Sequence, residues 1–170
     1  AEIPTEDGAS ATVNITPASD LATNLALASA DTSALTADDV EDASSQVLGL
    51  IQTITGTDLS GQDLNDIAIP DVADSADAAA ASDSSLALAA FSAAIIANQG
   101  EGETVGDVIA RVNASLSANE EGNLAASGTE LSSLTNSVVT ALTTVSAQVT
   151  AGGGDSSAVD AAADNAEAIE

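Results

Sequence analysis

The stretch LTADDVEDASSQVLGLIQTITG, residues 35–56, holds one whole helix with both of its ends. Thr36 offers a hydroxyl acceptor at the N-cap, and Asp39, three residues on, supplies a carboxylate that can reach back to it, a capping box with Asp in place of Glu. Val40, Ala43, Val47, Leu50, Ile51 and Ile54 then recur at steps of three and four, so they share one helical face. Gly56 ends the pattern, as glycine does where a chain must leave a helix through the left-handed region.

The same grammar repeats along the chain. Thr16-Pro17 reads as N-cap and first helical residue, with a face of Leu21, Leu25 and Ala28 running to about Ala30. Thr104 is followed three residues later by Asp107, and Val105, Val108, Ile109, Val112 and Leu116 form the face behind them. Residues 130–150 place Leu131, Leu134, Val138, Leu142, Val145 and Val149 at near-heptad spacing, which decides against a strand despite the Val and Thr content. Between these, Leu86 to Asn98 carries Leu86, Leu88, Phe91, Ile95 and Ile96, with a bend expected near Ser82 to Ser85 and a separate polar helical turn within 71–82.

Two segments stand apart. Ala11, Val13 and Ile15 alternate with Thr12, Asn14 and Thr16, which predicts a strand of about five residues. Gly152-Gly153-Gly154 breaks the chain, and the acidic, Ala-rich residues after it have few anchors beyond Val159 and Ile169, a poor helix unless it packs on something. The expected fold is therefore mainly α, an irregular bundle of about five helices preceded by a short N-terminal β-strand. Residues 1–16 form an extended segment, 17–151 the bundle, and 152–170 a Gly-rich linker and tail.

Composition narrows the chemistry. Of 170 residues 45% are apolar, enough for a core, but Phe91 is the single aromatic residue. Burial stabilises by roughly 25 cal/mol per Å², and aromatic rings bring the largest areas, so stability per residue is expected to be modest. The 27 acidic residues face Arg111 alone, for a net charge of −26. Nucleic acid is excluded as a direct target, because phosphates are bound by Lys and Arg that displace counterions, and insertion into or binding to an anionic membrane is not expected. Self-repulsion suits a salty or cation-rich setting, where screening lengths fall to about 8 Å or less.

The chain has no His, Cys, Lys or Tyr, which removes the usual general bases and activated nucleophiles and leaves hydroxyls and carboxylates. No enzymatic activity and no cofactor are expected. Asp58, Asp63 and Asp66, in the turn-rich stretch 56–70, are the candidate metal ligands, with Ca²⁺ as the ion that oxygen donors would take. Their spacing departs from an EF-hand, and turn chemistry in which Asp bonds its own backbone is the alternative. Arg111 is expected to pair with Asp107, one turn before it.

The segments ATVNITPASDLATNLAL (11–27), LTADDVEDASSQVLGLIQTITGTDL (35–59), ASDSSLALAAFSAAI (81–95) and VGDVIARVNASLSANEEGNL (105–124) together resemble a helical region of bacterial secreted and cell-surface proteins, often found beside Ig-like domains. The resemblance spans roughly residues 11–150, with Ala18-Ser19 standing where that region has Leu-Thr. It implies an extracellular, non-catalytic, surface-associated role and carries over no functional residues. The expected function is a structural, self-assembling subunit of a bacterial surface filament or layer; a helical module of a larger adhesin and a Ca²⁺-dependent binding protein are the alternatives. The expected partner is a further copy of the chain.

Overall fold

The computed structural model describes residues 2–4, 10–12, 15–30, 35–117 and 129–169. It is mainly helical: α1 (Pro17–Ser29), α2 (Ala37–Thr55), α3 (Ser75–Ala80), α4 (Asp83–Ala97), α5 (Val105–Ser117), α6 (Thr129–Ala151) and α7 (Ser157–Glu167). Seven helices among the described residues exceed the expected five, because α3 and α7 are elements in their own right.

The helix starts follow from the caps. Thr16 and Ser19 bond reciprocally, the Ser19 amide donating to Thr16 Oγ1 at 3.0 Å and the Thr16 amide to Ser19 Oγ at 2.8 Å. At α2 the Thr36 amide donates to Asp39 Oδ2 at 2.8 Å, and at α5 the Thr104 amide donates to Asp107 Oδ2 at 2.8 Å. Each bond satisfies an amide that a helix start leaves without an intrahelical partner. Gly56 closes α2 at φ 68°.

α4 forms the centre. Leu86, Leu88, Phe91 and Ile95 are buried together with Ala87, Ala89, Ala90 and Ala94, so the helix is apolar on nearly every side, as an interior helix should be. It contacts α6, α1, α5, α7 and α2. α6 buries Leu131, Leu134, Val138, Leu142, Val145 and Val149, the seam read from its spacing, and α2 buries Ala43, Val47, Leu50, Ile51 and Ile54. Val40, placed on that stripe by period, is exposed at the start of α2, and Ile96, placed among the packing residues of α4, is 49% exposed. The buried hydroxyls of Thr55 and Thr135 donate to the carbonyls of Ile51 and Leu131 within their own helices, so neither is left unpaired.

The N-terminal strand differs from expectation. Ser10–Thr12 (β2) pairs antiparallel with Glu2–Pro4 (β1), with Ile3 opposite Ala11. The expected strand over Ala11 to Ile15 is not seen as such. Val13 and Asn14 lie outside the described residues, and Ile15 is already the residue that leads into the Thr16 cap, which commits the chain to helix.

The segment set apart as linker and tail is packed. α7 buries Val159, Ala162 and Ala166 against α6 and α2, and Asn165 Nδ2 donates to the carbonyl oxygens of Thr53 and Ile54 at 3.1 and 2.8 Å, closing the C-terminal end of α2. The glycines before it do more than break a helix. A Cβ at Gly152 would collide with the Ser75 carbonyl oxygen and lie 2.8 Å from Ala79 Cβ, so α6 reaches α3 only because that side chain is absent. Gly152→Ala should therefore lower stability by about 1–3 kcal/mol, as overpacking does. Gly49→Ala, at a helix-interior position where a Cβ meets nothing within 4 Å, should raise it by about 0.5–1 kcal/mol. Thermal unfolding followed by circular dichroism reads both, and the opposite signs are the test.

Candidate functional site

The aspartate loop is built by alternation. Leu59, Leu64 and Ile67 are buried anchors, and Asp58, Asp63 and Asp66 each stand one residue before an anchor, on the exposed side. Asp58 Oδ1 accepts from the Ser60 amide at 3.0 Å and from Ser60 Oγ at 2.6 Å; Asp63 Oδ1 accepts from the Asn65 amide at 2.8 Å and from Asn65 Nδ2 at 3.2 Å. These are Asx turns, each carboxylate serving its own few residues. The Ser60 hydroxyl, and then the Ser60 amide, hold the Asp58 carboxyl below its ordinary range. Among the described residues no group of three or more His, Cys, Asp or Glu side chains comes together in a way that could hold a metal ion. A shallow polar groove of about 670 Å³ runs between this loop and α2, with Ser44, Gln52, Ser60 and Gln62 on its walls.

Arg111 pairs elsewhere than expected. The Asp107 carboxylate is engaged by Thr104 at the start of α5, whose amide and then hydroxyl lower its pKa most, with Arg111 the smallest contribution. The guanidinium instead donates from Nη1 to Glu103 at 3.2 Å and from Nη2 to the Asn98 carbonyl at 3.1 Å, and its Nε lies 3.4 Å from Glu130. The one cation thus joins the end of α4, the approach to α5 and the start of α6. That is a structural tie with every partner an oxygen of the chain, and it leaves no anion clamp.

The remaining surface feature is apolar. A groove of about 280 Å³ between α4 and α6 is floored by Ala89, Ala93 and Ala97 facing Ala141 and Thr144. It shares Val72, Ala89 and Ala93 with a second groove of about 410 Å³ walled by Ile15, Ile69 and Ile96. Ile15 is 76%, Ile96 49% and Ile69 37% exposed. Among the described residues no charged side chain lines either groove. No family model, curated protein or solved structure matches the chain.

The face stands on its own chemistry. Of the 27 acidic residues only Asp83 and Glu130 fall on α4 and α6, both in the first turn, where a carboxylate favours the helix dipole. Thr140 and Thr144 donate their hydroxyls to the carbonyls of Asn136 and Thr140, so they offer no free donor to solvent. Sequence reading placed Ile96 in the core and Ile15 in a strand. α4 is apolar all round, so periodicity gives no sign of which of its sides is left uncovered. Among the described residues no helix is long and apolar enough to cross a membrane.

Two measurements check these assignments. Because the cap bonds lower the folded-state pKa of Asp39 and Asp107, the stability they give is present above the unfolded Asp value of about 3.9 and is lost as pH falls through the folded values. The variant Asp39→Asn/Asp107→Asn should melt a few degrees below the parent at pH 7, with the gap closing below about pH 4. At matched ionic strength, EDTA and millimolar Ca²⁺ should leave the Tm where NaCl leaves it. A Ca²⁺-specific rise would restore the aspartate loop as a metal site.

Proposed function

We propose that this chain is a non-catalytic, extracellular structural protein that self-assembles as a subunit of a bacterial surface filament or layer. One observation carries the reading: a molecule of net charge −26 has, among the described residues, one contiguous face without charge, with three isoleucines exposed on it. An exposed apolar face on a soluble chain marks an interaction surface. Charge repulsion elsewhere makes that face the place where bodies of this kind can meet. The absence of His, Cys, Lys and Tyr supports a role without catalysis, and the resemblance to helical regions of secreted and surface proteins supports the location. The β1–β2 pair adds a second route, since a two-stranded ribbon is marginal alone and a neighbouring chain's strand would extend it.

Negative-stain electron microscopy together with sedimentation of the chain at low and high NaCl tests the proposal. Fibres or sheets, or a pelleting species that grows as salt screens the charge, are expected. A monomer of 16.4 kDa at every salt and protein concentration would overturn self-assembly and favour a helical module of a larger adhesin.

A further inference from the structure

We infer that the α4–α6 face is where two copies of this chain pair, face to face about a two-fold axis. The inference rests on the self-assembly reading and names the surface it uses. Charge chooses both the occupant and the symmetry. A cationic partner would be drawn to the acidic remainder of the surface, where the carboxylates are, and would gain nothing from a face without them. A head-to-tail contact between copies would press this face against an acidic one and strip water from its carboxylates without replacing it. Only pairing of the face with itself, the isologous arrangement of a two-fold dimer, sets uncharged surface against uncharged surface.

Packing favours the same arrangement. Ala89, Ala93 and Ala97 repeat every four residues along α4, and Ile96 stands beside them, so ridge and groove lie on one helix and can be exchanged between two copies. Area sets the strength. α4 is about 22 Å long and two packed helices are about 20 Å wide, a footprint on the order of 450 Å² before the Ile15 and Ile69 rim is added. A standard interface covers roughly 800 Å² per partner, so the pair is weak and governed by salt.

The test uses the full chain and its lack of cysteine. Thr140→Cys and Ile96→Cys each place a single thiol on the face at an exposed position, and Leu27→Cys places one on the outer side of α1, where Leu27 is 59% exposed. On mild oxidation in high salt, at least one face variant should form a disulfide-linked dimer in good yield, and the α1 variant should not. In sedimentation equilibrium, Ile96→Asp and Thr140→Asp should weaken association tenfold or more while keeping the parent's helical circular dichroism. Leu27→Asp, which adds the same charge elsewhere, should not. Association that persists unchanged in both face variants, with no face-specific crosslink, would overturn this surface and leave self-assembly standing. A parent chain that never associates would overturn both.

Discussion

The structure depends on the burial of α4. This helix is apolar on nearly every side, so its neighbours must close around most of it, and its alanines set how near they come. Phe91 at its middle, the chain's one aromatic ring, is fully buried. The rest of the core is Leu, Ile, Val and Ala, whose small areas require many close contacts to accumulate the burial that a few aromatics would bring. Gly152 belongs to the same economy of space, since α6 passes α3 at a distance that a methyl group would forbid.

Electrostatics follows from having one cation. Helix ends are ordinarily eased by carboxylates at the start and by Lys or Arg at the finish. Here the starts are well supplied, with Asp39 and Asp107 in capping boxes and Asp74 accepting from the amides of Ala76 and Asp77. The last turns of all seven helices lack a basic residue. Amides and the single arginine take over. Gly56 and Asn165 close α2, Asn98 donates its side-chain amide to Ala94 at the end of α4, and Arg111 reaches the Asn98 carbonyl from another helix. An acidic chain thus satisfies these carbonyl ends with amide and guanidinium donors, while its carboxylates stay in solvent, on its own amides and hydroxyls or, for Glu103 and Glu130, on Arg111.

Local signals were legible in the sequence and relational ones were not. The start of α1 followed from Thr16-Pro17, those of α2 and α5 from a threonine and its third neighbour, and α6 from its spacing, because these rest on contacts within a few residues. The break between α3 and α4 fell at Ala81 and Ser82, beside the expected bend. α7 was hidden because its worth lies in surfaces offered by α6 and α2; Ala162 and Ala166 are anchors only once those helices are in place. The pairing of Arg111 escapes the sequence for a related reason, since the nearest carboxylate along the chain, Asp107, is committed to a cap. The exposed isoleucines at 15, 69 and 96 come from three distant segments. Only the assembled bundle sets them side by side.

Asn165 joins the carbonyls of residues 53 and 54 from 112 and 111 positions away. Such a contact costs loop entropy before it returns anything, and contacts of long sequence separation slow folding. The ends of α2 and α6 therefore wait uncovered until α7 has been made and has docked. A polypeptide emerging from its N-terminus cannot close this part of the bundle while only α1 to α6 exist.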